Sequence, residues 1–107
     1  MRKKERTAKI RRARPNVFLD LGFSPEEAEH LKVRSDLMIE IQNAIVSRNL
    51  KQAEATSLLR VSQPHVSDLL RDRIYLFSTD ALIDMLAHLN VRVRLVLKPT
   101  RRTRKIA

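Results

Sequence analysis

The run SQPHVSD, residues 62–68, gathers Ser62, Gln63, His65, Ser67 and Asp68 at the start of one short predicted helix. These side chains are suited to reading base edges. A Gln amide can pair with N6 and N7 of adenine, an Asp carboxylate can accept from N4 of cytosine, and Ser and His can reach base edges or phosphate. Lys51, Gln52, Arg60, Arg71 and Arg73 surround the run as candidate contacts to a phosphate backbone. Gln52 opens the preceding helix, whose free N–H groups suit a phosphate oxygen, and the three arginines flank the reading face as anchors. Pro64 removes a donor that the first helical turn cannot use. Asp68 and Asp72 face phosphates unfavourably, so each requires a specific base or a nearby Arg.

Catalysis finds less support in the same residues. His30, His65 and His88 are the only histidines, each isolated and without metal-ligand spacing. With no Cys there is no thiolate site or disulfide, and a single Gly rules out a glycine-rich phosphate cradle. A ribonuclease needs an acid and a base converging on phosphate, and His65 with Arg71 is the one candidate pair. No catalytic residue, metal or cofactor is therefore expected. A single-strand binding protein is also disfavoured. Phe18, Phe23 and Phe77 sit in core-like contexts and leave Tyr75 alone, which is no stacking platform.

Presenting the polar run requires two packed helices. Apolar residues fall at Ala55, Leu59, Val61, Val66 and Leu69, the positions that join the halves of a helix-turn-helix, with Thr56 where the helices approach most closely. An ordinary helical hairpin would need similar apolar spacing but not the polar run. The spacing predicts helices over 51–59 and 63–71. Before them, Ser24, Pro25 and Glu27 read as a helix start. That helix carries a stripe of Leu37, Met38, Ile41 and Ile45, with a break predicted near Val33–Ser35. NVFLDLGF (16–23) reads as a brief strand or extended piece. FSTDALIDMLAHLN (77–90) gives another helix, capped by Ser78 or Thr79 and stopped at Asn90. The period then changes to two. In VRVRLVLKP (91–99), Val91, Val93, Leu95 and Leu97 alternate against Arg92, Arg94, Val96 and Lys98, which is a half-buried strand ended by Pro99. A lone strand needs a partner. Either VFLDL supplies it or, as the preferred expectation, a second copy does across a two-fold axis, which also gives the homodimer suited to palindromic DNA.

Charge is segregated along the 107 residues, whose formal net charge is +10. Residues 1–14 hold eight basic side chains and one acid, residues 92–105 hold seven basic and none acidic, and residues 15–91 are net −4. This predicts a basic arm (1–15) disordered when free, a DNA-binding body (16–99) and a basic tail (100–107). Such arms favour nucleic acid because Lys and Arg displace condensed counterions. Apolar runs are far short of the ~20 residues that cross a bilayer. No secretory signal opens the chain, so a cytoplasmic protein with no membrane partner is expected.

The stretch from about residue 16 to 99, from VFLDLGFSPEEAEHLKVRSDLM through the closing strand, resembles the HigA-type antitoxins within the broader XRE (phage-repressor-like) helix-turn-helix regulators. The resemblance implies a dimeric, lambda-repressor-like helical domain, which with the elements read above makes an all-α fold of about five helices and a C-terminal strand expected to pair across the dimer. It also implies operator binding on double-stranded DNA and an RNase toxin partner from an adjacent gene. A stand-alone XRE repressor uses the same unit, and a basic RNA-binding protein is the remaining alternative. Four positions depart from the family, which usually has Ala at 56, Gly at 60, Arg at 65 and Gly at 72. Arg at 60, where a left-handed turn is required, should cost on the order of 1 kcal/mol. The Thr56 hydroxyl can bond back to the carbonyl four residues earlier, and His65 puts an imidazole where the family has a guanidinium.

Overall fold

The computed structural model describes residues 6–9, as backbone, and 16–99. In chain order these form β1 (Arg6–Lys9), α1 (Val17–Asp20), α2 (Pro25–Ser47), α3 (Gln52–Leu59), α4 (Gln63–Leu70), a short 3-10 turn (Ile74–Leu76), α5 (Thr79–His88) and β2 (Val91–Arg94). The described residues are mostly helical, with five α-helices and a C-terminal strand as expected.

Helix starts follow local chemistry. Ser24, Ser62 and Ser78 each sit at an N-cap and accept through Oγ from the backbone N–H of Glu27, His65 and Ala81. Such caps satisfy donors that the helix cannot, and each contributes about 1 kcal/mol. Helix ends share a second device. Gly22, Asn49, Arg60, Asp72 and Asn90 all take positive φ, between 54° and 95°. Each follows or closes one of the five described helices, so among the described residues four of the five left-handed stops are made by residues other than glycine.

Two expectations are corrected here. NVFLDLGF is not extended: Val17–Asp20 forms a helical turn that stops at Gly22. The Phe23 N–H bonds to the Phe18 carbonyl at 3.1 Å, and that of Gly22 to Leu19 at 3.1 Å, the pair of bonds that defines a Schellman stop. The Phe18 and Phe23 rings meet edge to face at 6.1 Å and supply the apolar contact that accompanies it. Val17, Leu19 and Leu21 of this apolar-rich run are exposed. The second correction concerns α2, which runs unbroken for 23 residues. Val33 and Ser35 lower helix propensity by only tenths of a kcal/mol. Meanwhile Lys32 Nζ meets buried Asp36 at 2.6 Å, and Arg34 reaches the Phe77 carbonyl at 3.5 Å.

The core joins α2 (Leu37, Met38, Ile41, Ile45) to Ala55 and Leu59 of α3, Val66 and Leu69 of α4, Phe77, four residues of the α5 end (Leu82, Met85, Leu86, Leu89) and Val91. The predicted α2 stripe is thus the core face. Arg48 Nη2 donates to the Leu89 carbonyl at 2.6 Å, placing a cation at the C-terminus of α5.

β2 pairs in parallel with β1, Arg6 opposite Val91 through Lys9 opposite Arg94. Within this chain the partner is therefore not VFLDL, which is helical. It is a four-residue piece of the basic arm. The remainder of the arm (1–5, 10–15) and the tail (100–107) lie outside the described residues. β2 is shorter than expected because its ladder stops where β1 stops, at Arg94. Val91 is buried and Val93 half-buried, but Leu95 and Leu97, expected on the same covered face, are 56% and 87% exposed.

Candidate nucleic-acid interface

α3 and α4 are joined by a turn of three residues. Arg60 adopts φ 61° and ψ 44°, and the N–H groups of Arg60 and Val61 both bond to the Thr56 carbonyl, at 2.9 and 3.2 Å. The Thr56 hydroxyl donates to the Gln52 carbonyl at 2.8 Å, the bond expected of a hydroxyl at this position. Of the apolar positions that define the motif, Ala55, Leu59, Val66 and Leu69 are buried and Val61 is half-buried. The sharp turn and this apolar seam fix α4 against α3 and leave its other side in solvent.

On that side, Gln63 and Ser67 lie one helical turn apart, as do Pro64 and Asp68, and Arg71 follows at the end. Ser62, Gln63 and Pro64 are exposed, Ser67 and Asp68 are half-buried, and Arg71 is exposed. Gln63 therefore stands at the helix N-terminus with a free amide face. His65 turns partly away. Its ring meets the buried Phe77 ring edge-on, with centroids 4.8 Å apart at 90°, so the imidazole braces the start of α4 as well as reaching its rim.

The acids of this face each have a neighbour. Asp68 Oδ1 lies 3.8 Å from Arg73 Nε, the two side chains being 34% and 52% exposed. Asp72 Oδ1 accepts from Gln42 Nε2 at 2.7 Å. The requirement for a nearby Arg is met at Asp68, whereas Asp72 takes a neutral amide. Arg73, expected as a backbone anchor, is thus shared with Asp68. Arg60 and Arg71 are exposed. Lys51 and Gln52 are exposed at the start of α3, but the Glu54 carboxylate already accepts from the Lys51 N–H at 2.8 Å. An anion approaching Gln52 meets that acid close by.

Gln42 is the functional candidate that sequence reasoning missed. It sits on α2 beside the buried stripe, four residues after Met38 and three before Ile45, and a polar residue bordering such a stripe was its only signal. Among the described residues there is no group of three or more His, Cys, Asp or Glu placed to hold a metal ion. No described helix is long and apolar enough to cross a membrane.

With this geometry established, similarity to known proteins can be placed on it. A profile of the helix-turn-helix domain family matches residues 17–98. The chain belongs to the helix-turn-helix domain family. The match takes in every described helix, so the family unit includes α1 and α5 as well as the α3–α4 pair. Among solved structures, one provisionally described as an XRE family transcriptional regulator superposes with a TM-score of 0.65 at 30% identity, covering 76% of this chain and 91% of that one. The comparison with curated proteins gives no match.

Proposed function

We propose that this helix-turn-helix protein is a sequence-specific DNA-binding transcription regulator. α4 enters the major groove, Gln63, Ser67 and Asp68 read base edges, and Ser62 and His65 contact the rim. Lys51, Gln52, Arg60, Arg71 and Arg73 hold the phosphate backbone. The observation that carries this reading is the solvent-facing Gln63–Ser67–Asp68 stripe on a helix whose opposite face, Val66 and Leu69, is buried. The XRE-type relative supports the same assignment.

The regulator acts as a homodimer, because a short helix reads few base pairs and a two-fold pair doubles the site. Among the described residues β2 retains one unpaired edge in its two-stranded sheet, and exposed Leu95, Val96 and Leu97 continue from it. These are features that a second copy would cover. An antitoxin role, countering an RNase encoded next door, rests on the sequence resemblance over residues 16–99.

The test is selection of bound duplexes from a random pool, followed by footprinting. Wild-type protein should enrich one palindromic consensus. Gln63→Ala and Asp68→Ala should each reduce discrimination by about 1–3 kcal/mol at a single position of that consensus. Equal binding of all duplexes by well-folded wild-type protein would remove the reading. Co-expression with the neighbouring gene and pull-down decides the antitoxin role.

A further inference from the structure

The C-terminal half of α4 is held by a bond from outside the helix-turn-helix. Gln42 Nε2 donates to the Leu69 carbonyl at 2.8 Å and to Asp72 Oδ1 at 2.7 Å, so both amide hydrogens are engaged. Leu69 and Asp72 belong to the turn that ends α4. The Asp72 N–H bonds to the Leu69 carbonyl at 3.3 Å and the Arg73 N–H to the Asp68 carbonyl at 3.1 Å, which makes a Schellman stop with Asp72 at its left-handed position, φ 61°. In this motif an apolar contact usually joins the first and last residues of the turn. Here those residues are Asp68 and Arg73, and their charged side chains face each other at 3.8 Å. The turn that stops the helix also holds a base-reading carboxylate.

We infer that Gln42 is a positioning residue for DNA recognition: it fixes the strained turn at Asp72, and through that turn the Asp68–Arg73 pair, without itself touching a base. The inference rests on the reading of α4 as the recognition helix. An eight-residue helix has little stability of its own. Its first turn is secured by Ser62 and by His65 on Phe77, and its middle by Val66 and Leu69 in the core. Its last turn has a weak 3.3 Å backbone bond and a non-glycine residue in the left-handed region. Gln42 bonds to both ends of that weak link. Removing its donors frees Asp72 to relax, and the carboxylate of Asp68, one turn back, loses its fixed orientation.

The experiment uses the full chain and two duplexes, the consensus selected by wild-type protein and a scramble of equal length and composition. Gln42→Glu is near-isosteric but replaces the donor with a carboxylate facing Asp72. The affinity ratio between the two duplexes should fall roughly tenfold, the worth of two lost hydrogen bonds. Combining Gln42→Glu with Asp72→Asn leaves net charge unchanged and reverses the bond, the amide at 72 now donating to the carboxylate at 42. This exchange restores the bond at 72 but not the one to the Leu69 carbonyl, and should bring the ratio back to within roughly threefold of wild type. Gln42→Met removes the donors without adding charge, and serves if Gln42→Glu does not fold. A ratio unaltered in these single variants, with only the thermal midpoint lowered, makes Gln42 structural and overturns the inference. A folded exchange variant that stays unselective does the same. Failure of wild-type protein to select any consensus defeats the recognition-helix reading instead, and the inference with it.

Discussion

Arg60 and Asp72 occupy the same backbone conformation, both at φ 61°, for different reasons. A left-handed L-residue costs about 1–2 kcal/mol, and replacing it with glycine returns part of that because glycine loses more freedom on folding. Arg60 is exposed, and nothing in its side chain offsets the strain. Arg60→Gly should therefore stabilise the fold by about 0.5–1 kcal/mol, read as a higher urea midpoint at unchanged slope. It should also lower the salt dependence of DNA binding by about one phosphate contact. Asp72 bonds to Gln42, and that bond contributes about 1 kcal/mol. Asp72→Gly relieves the same strain but loses the bond, so its stability should stay within about 0.5 kcal/mol of wild type. A gain for Asp72→Gly as large as that for Arg60→Gly would show that the Gln42 bond carries no stability. The sequence marked both positions as places where the family prefers glycine. It did not reveal that one of them had acquired a partner 30 residues away.

Among the elements, α3 and α4 were legible because their signal is local. Five apolar positions within 15 residues and a serine cap determine both helices and the turn between them. α2 was legible as a stripe and misread at its middle, since continuity came from Lys32–Asp36 and the reach of Arg34 to Phe77, contacts spanning 4 and 43 residues. α1 was misread because a short apolar-rich run does not fix its own secondary structure, least of all when Val17, Leu19 and Leu21 face solvent. The polar run starts α4 as its spacing predicts, yet the turning of His65 onto Phe77 depends on a loop packing that spacing does not encode. This packing has a measurable weight. Leu69→Ala empties a fully buried site at the α2–α4 contact and should cost about 2–5 kcal/mol. That is a large share of the stability of a small domain. Gln63→Ala on the opposite face of the same helix should remain within about 0.5 kcal/mol of wild type. Chemical denaturation of the two variants side by side separates scaffold from reader; similar losses in both would place Gln63 in the fold and remove it from recognition.

At the scale of the whole molecule, an acidic body lies between basic ends, and β1 changes how the proposed division of selection from holding must be tested. Because Arg6–Lys9 pairs with β2, cutting away residues 1–14 would remove a strand along with eight basic side chains, and a loss of binding would have two causes. Residues 100–107 are a cleaner cut. They carry Arg101, Arg102, Arg104 and Lys105 and no acid, and β2 ends at Arg94, well before them. Each phosphate neutralised contributes about 0.9 to the slope of log affinity against log salt. Deleting the tail should lower that slope by up to about four and weaken binding to all duplexes alike at low salt. The ratio between selected and scrambled duplexes should hold, since Gln63 and Asp68 remain in place. Fluorescence anisotropy across a salt series measures both quantities on one sample. A truncated chain with an unaltered slope would mean that the tail touches no phosphate; a reduced ratio would mean that it reads sequence, and the separation of the two tasks would then fail.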